Sequence, residues 1–168
     1  MDCPIIIAVC GVKNSGKTTL LAGIVKELTK RGKKTAVIKH DGHDFSCDIP
    51  GTDSYILKEA GAYGTAVFSD SRIFVHKTGT GEREEELIEM FPEADVILIE
   101  GMKEKCFPKI EVIREGISSC PVSNPEGRFL IVTDRKQADY GEETAGFEEL
   151  GLITDKILKK GTRDYEGD

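Results

Sequence analysis

Gly11-Val12-Lys13-Asn14-Ser15-Gly16-Lys17-Thr18 follows directly on the apolar run Ile5-Ile6-Ile7-Ala8-Val9 and Cys10, and this junction decides the fold. The octapeptide matches G-x-x-x-x-G-K-[ST] at every fixed position. With 18 glycines in 168 residues, a chain of this composition would supply roughly 0.02 such matches by chance. Context strengthens the reading. An apolar run without polar alternation marks a strand buried on both faces of a parallel sheet. Beyond Lys17, Leu20, Leu21, Ile24, Val25 and Leu28 recur at helical spacing, and the stripe stops at Gly32 beside Lys30, Arg31, Lys33 and Lys34. A second strand pattern, Thr35 to Lys39, completes a right-handed βαβ unit. The chain is therefore read as α/β, a three-layer P-loop NTPase fold around a mainly parallel central sheet.

The spacing of the loop follows from its chemistry. Gly11 and Gly16 allow backbone angles at which the N–H groups of the loop, through Lys13, Asn14 and Ser15, point inward as a nest for a β-phosphate at a helix N-terminus. Lys17 carries the mobile charge for the β- and γ-phosphates, Thr18 offers a hydroxyl to Mg²⁺, and Thr19 stands near the α-phosphate. Such a loop works with an acidic residue at the end of a neighbouring strand, and Glu100, closing Val96-Ile97-Leu98-Ile99, is the candidate metal ligand.

Working outward, a short helix is expected over Asp53 to Ala60, capped by Asp53 or Ser54 and closed by Gly61. Further strands are expected at Thr65 to Ser69, Arg72 to Lys77, Asp95 to Glu100, Ile110 to Arg114 and Phe129 to Thr133. Helices are expected over Glu82 to Phe91 and Thr154 to Lys160. Thr78-Gly79-Thr80-Gly81 lacks a following lysine and reads as a turn rather than a second phosphate loop. No repeat or linker divides the sequence, so residues 1–160 are taken as a single nucleotide-binding domain and 161–168 as a disordered tail.

Lys plus Arg number 23 and Asp plus Glu 30, a net charge of −7, which argues against nucleic acid or an anionic membrane as a partner. The apolar runs are far shorter than the roughly 20 residues of a membrane span, and no signal segment opens the chain. A cytoplasmic location is expected. The five cysteines are scattered without a C-x-x-C pair and read as reduced thiols.

The loop after the second strand should emerge on the rim of the phosphate loop, bringing His40, Asp41, His43, Asp44 and Asp48 towards the triphosphate and metal. The Asp residues could bind Mg²⁺ or orient water, and the His residues could contact phosphate or move a proton. A zinc reading of His40, His43 and Cys47 lacks a fourth ligand. Lys103, Lys105 and Lys109 read either as contacts to an anion or as a solvated basic face. There is no N-K-x-D tetrad; Asp134, at the end of an apolar strand, is the nearest group that could accept from a guanine edge.

Several stretches occur in one order: the P-loop, His40-Asp41-Gly42-His43-Asp44-Phe45, Asp48-Ile49-Pro50-Gly51-Thr52-Asp53-Ser54, Ala60-Gly61-Ala62, Ile99-Glu100-Gly101 and Pro108-Lys109-Ile110-Glu111. Together, from about Ile5 to Thr133, they resemble MobB, the molybdopterin-guanine dinucleotide biosynthesis protein B family, with Gly42 a departure inside the histidine cluster. The resemblance implies a homodimeric GTP-binding protein with weak GTPase activity, an accessory or adapter to the MobA nucleotidyltransferase that joins GMP to molybdopterin. It maps function onto Gly11 to Thr19, the loop from His40 to Asp48, and Glu100. The reading is thus a GTP and Mg²⁺ binder with slow hydrolysis, Lys17, Asp44 and Asp48 being the catalytic candidates. An ATP-dependent small-molecule kinase or ligase resembling dethiobiotin synthetase is the alternative. A metallochaperone-like GTPase using His40, His43 and Cys47 is a third.

Overall fold

The computed structural model describes residues 3–41, 45–79, 84–136 and 139–163. The chain forms two compact units, one comprising Met1–His40 with Glu85–Asp168 and the other Asp41–Glu84.

The larger unit is built on a six-stranded sheet. Its strands are β1 (Ile5–Cys10), β2 (Thr35–Lys39), β5 (Val96–Glu100), β6 (Lys109–Ile113), β7 (Arg128–Thr133) and β8 (Thr144–Ala145), in the order β2-β5-β1-β6-β7-β8. Every pairing is parallel. The continuous apolar runs sit where both faces are covered: all five residues of β5 and all five of β6 are buried. Alternation along β5 sends Val96 and Leu98 to one face, Ile97 and Ile99 to the other.

On the first face, α1 (Lys17–Lys30) and α4 (Leu150–Arg163) lay Leu20, Leu21, Ile24, Leu28, Ile153 and Ile157 against Ile7, Val9, Ile110, Val112 and Leu130. Gly23 lets the two helices close, since a Cβ there would stand 2.9 Å from Leu150. Arg31 ties them at one end, donating to Asp155 Oδ1 at 2.5 Å and to Gly151 O at 3.2 Å. On the second face, Ile88 of α3 (Glu84–Glu89), Ala94, Met102 and Phe107 cover Ile38, Ile97 and Ile99.

This second layer changes character over β6. Lys109, expected to meet an anion or solvent, does neither: it is fully buried, and its ammonium donates to the carbonyls of Lys105 and Asn124. Glu111 Oε1 accepts from Val122 N at 3.0 Å, and Arg128 Nη1 donates to Ser123 O at 2.8 Å. Side-chain charges thus pin the chain before and after β6 to the sheet, satisfying backbone groups that a helix would have satisfied internally.

Most strand ends fall within a residue of the expected bounds, and α3 ends at Glu89, short of the expected Phe91; β8 and α4 depart furthest. β8 is only two residues long, too short to show any period. α4 begins at Leu150 rather than Thr154 and reaches Arg163. Gly151 and Gly161 look like helix breakers in isolation, but the buried residues Ile153 and Ile157, with Leu150 packed against the same core, override a glycine cost of about 1 kcal/mol each.

The smaller unit holds α2 (Asp53–Glu59) and an antiparallel pair, β3 (Gly64–Phe68) with β4 (Ile73–Lys77). The cap position of α2 falls to Thr52 instead of Asp53 or Ser54. Asp48 organises this start: its Oδ1 accepts from Ile49 N at 2.9 Å, Thr52 Oγ1 at 3.3 Å and Ser54 Oγ at 3.1 Å.

Candidate functional site

The phosphate loop joins the end of β1 to the start of α1. Gly11 has φ +141, and a Cβ there would lie 2.6 Å from Val112 O and 2.9 Å from Ser15 Oγ. Only glycine fits this approach. Gly16, at φ +94, is the cap residue of α1, and no side chain caps that helix. Nor does its first turn carry an acidic residue. Its N-terminal N–H groups and the positive end of its dipole are thus left to an anion. Ser15 Oγ is buried inside the loop without a hydrogen-bond partner, a polar group of the kind a phosphate oxygen would satisfy. Lys13 and Asn14 are exposed on the outside of the turn, Asn14 with φ 63.

Lys17 curls over the loop, its Nζ donating to Val12 O at 2.7 Å and Gly11 O at 3.1 Å. Thr18, one residue on, donates its hydroxyl to Glu100, 3.0 Å from Oε2 and 3.2 Å from Oε1. These two residues, 82 positions apart in sequence, meet because β5 pairs with β1 in a register that sets Val9 opposite Glu100. One hydroxyl and one largely buried carboxylate are hard oxygen donors. They suit Mg²⁺, which takes one or two protein ligands and completes its shell with water and phosphate oxygens. Among the described residues no cluster of three or more His, Cys, Asp or Glu stands ready to hold a metal.

His40 follows β2 on the same side, donating its N–H to Glu100 O at 3.0 Å. A Cβ on Gly101 would stand 3.3 Å from His40 Cβ. Asp48 belongs to the smaller unit, in the local network around Thr52 and Ser54. His43 and Asp44 lie outside the described residues. Thr19 is exposed on the first turn of α1. Asp134 follows β7 with both carboxylate oxygens engaged: Oδ1 accepts from Glu115 N at 2.7 Å, and Oδ2 faces Arg114 Nη1 at 3.4 Å. A guanine edge would have to share or displace these partners.

Two cations enter the site that the sequence reading left out. Arg114 Nε donates to Ser15 O at 3.4 Å, its guanidinium lies 4.2 Å from the centre of the Phe147 ring, and it also faces Asp134. Lys39 Nζ stands 3.7 Å from Glu100 Oε1. Lys39 is the last residue of β2 and Arg114 the first after β6, both at the carboxyl ends of parallel strands, the edge where ligands bind in open α/β sheets. That position narrows the search to such cations, but it is shared by those that meet only solvent.

The family described as molybdopterin guanine dinucleotide synthesis protein B, MobB, matches this chain over residues 6–135. The chain belongs to the MobB family. Relatives agree: the molybdopterin-guanine dinucleotide biosynthesis adapter protein of Escherichia coli K12 is 36% identical over 132 residues, 75% of each chain. The protein of the same name from Haemophilus influenzae is 34% identical over 155 residues, 90% of this chain and 86% of its own. The crystal structure of Bacillus subtilis MobB superposes with a TM-score of 0.70 at 25% identity, covering 92% of this chain and 96% of that one. A MobB homologue from Bacillus stearothermophilus shares the fold, with a TM-score of 0.67 at 18% identity over 92% of this chain and 98% of its own. The MobB match spans the phosphate loop, Lys39, Glu100, Arg114 and Asp134, so every site residue described above lies inside the family's region.

Proposed function

We propose that this MobB family member is a cytoplasmic GTP-binding adapter in molybdopterin guanine dinucleotide formation. It binds GTP with Mg²⁺, hydrolyses it slowly, and works as a homodimer alongside a MobA-type nucleotidyltransferase. The observation that carries the nucleotide half is the meeting of Thr18 and Glu100 at 3.0 Å, beside a loop whose helix has no side-chain cap. In this reading Gly11, Lys13, Asn14, Ser15, Gly16, Lys17, Thr18 and Thr19 hold the phosphates. Thr18 and Glu100 hold the metal, which neutralises phosphate charge when bound. His40 and His43 adjoin the phosphates, and Asp134 is the base-reading group. Lys17, Asp44 and Asp48 carry the slow hydrolysis. The adapter half is supported by the relatives' names. Among the described residues no helix is long and apolar enough to cross a membrane.

Isothermal titration with GTP and ATP, each with and without Mg²⁺, tests the reading. A preference for GTP that strengthens with Mg²⁺ is expected. Lys17→Ala should abolish binding while leaving the far-ultraviolet circular dichroism unchanged, because the side chain bonds only to the carbonyls of Gly11 and Val12 within its own loop. A preference for ATP would transfer the assignment to a small-molecule kinase or ligase, and full affinity in Lys17→Ala would remove the site.

A further inference from the structure

Lys39 ends β2 in register with Glu100 of β5, and its ammonium approaches that carboxylate at 3.7 Å. The separation is longer than a hydrogen bond, and 56% of the lysine side chain is exposed. Glu100 is largely buried, but the lysine is half exposed and stands beyond hydrogen-bond distance from it, so the ammonium keeps its three donors for another acceptor. Its place is more informative than its pairing. Glu100 also receives the hydroxyl of Thr18, so Lys39 from the end of β2 and Thr18 from the first turn of α1 reach one carboxylate. Lys17, adjacent to Thr18, lies over the loop itself, on the carbonyls of Gly11 and Val12. The two lysines thus have different partners: Lys17 the carbonyls of the loop, Lys39 the carboxylate that also receives the hydroxyl of Thr18. Lys17 serves a phosphate seated in the loop, and Lys39, beside the candidate metal ligands Thr18 and Glu100, is the cation left for the terminal phosphate that such a metal would share.

We infer that Lys39 is a second phosphate-binding cation, which contacts the terminal phosphate of a nucleoside triphosphate and makes the site distinguish triphosphate from diphosphate. This inference rests on the nucleotide-binding reading above. A contact longer than a hydrogen bond is exchanged for charge-assisted hydrogen bonds to phosphate oxygens, and the exchange leaves Glu100 to the metal that it and Thr18 would hold.

The test titrates the full chain with GDP and with a non-hydrolysable GTP analogue, both in Mg²⁺, for the wild type, Lys39→Ala and Lys39→Arg. Lys39→Ala should weaken the triphosphate analogue about tenfold while GDP affinity stays within about twofold, and Lys39→Arg should recover most of the loss. Because the lysine is exposed, thermal unfolding of Lys39→Ala should match the wild type. Equal losses for both nucleotides, or no loss for either, would overturn the role of Lys39 and leave the nucleotide site standing. A wild-type chain that bound neither nucleotide would overturn the site reading and this inference with it.

Discussion

Cys10 shows how the sheet interior sets the chemistry of a single atom. It ends β1 immediately before the phosphate loop, 1% exposed, and its Sγ donates to Gly101 O at 3.0 Å. Burial first, and then the Glu111 carboxylate, push the thiol from the ordinary 9.0 up to about 11, against the opposing charges of Lys109, Lys17 and Arg128. The thiol stays protonated near neutral pH and is a poor nucleophile. Between about pH 9 and about pH 11 the unfolded chain has lost this proton while the native chain retains it, so stability falls as pH rises through that window and is fully present below it. Urea denaturation at stepped alkaline pH should show this fall, and Cys10→Ala should remove its share of the slope. The pairing of Thr18 with Glu100 was legible at this scale, because the motif names the hydroxyl and the end of an apolar strand names the acid. Lys39 and Arg114 were not, because a basic residue ending a strand has the same local pattern whether it meets solvent or a site.

At the scale of elements, β6 is the instructive case. Lys109 and Glu111 alternate with Ile110 and Val112, which in sequence reads as a strand with one wet face. The structure instead buries that face beneath the segments on either side of the strand and makes its charges hold backbone groups. Lys109→Met keeps the volume and removes the donor, leaving the Lys105 and Asn124 carbonyls without their ammonium. It should destabilise the domain by about 2 kcal/mol or more, measured as a lowered urea midpoint at unchanged slope. No loss would mean that the carbonyls find water or other donors. The boundaries of α4 and the existence of β8 were hidden for a related reason: short or glycine-bearing segments carry weak local signals, and packing against the buried core decides them.

At the scale of the whole molecule, the β3–β4 ribbon carries the clearest prediction. Val67, Phe68, Ile73 and Val75 are each more than half exposed, with Phe68 at 81% and Ile73 at 78%. An isolated two-stranded ribbon is marginally stable in water, and an apolar cluster of this kind marks an interaction surface. With the homodimer proposed above, the second copy is the expected cover. Ile73→Glu combined with Phe68→Glu should shift the sedimentation of the protein from dimer to monomer in analytical ultracentrifugation. An unchanged dimer would place the interface elsewhere on the chain.

The phosphate loop, the βαβ unit around it, the parallel character of the buried strands and the family are legible without the structure. Each of these is written in contiguous residues, whose backbone freedom, charge and apolar period act locally. The same reading names Glu100 as the acid opposite Thr18. Packing of the sheet sets β5 between β2 and β1, which brings Lys39 to Glu100, and sets β6 beside β7, which brings Arg114 and Asp134 together. Tertiary packing alone gives β3 and β4 a sheet of their own. Strand order and register are outcomes of how whole faces bury against one another, and no window of sequence carries the partner of a strand end.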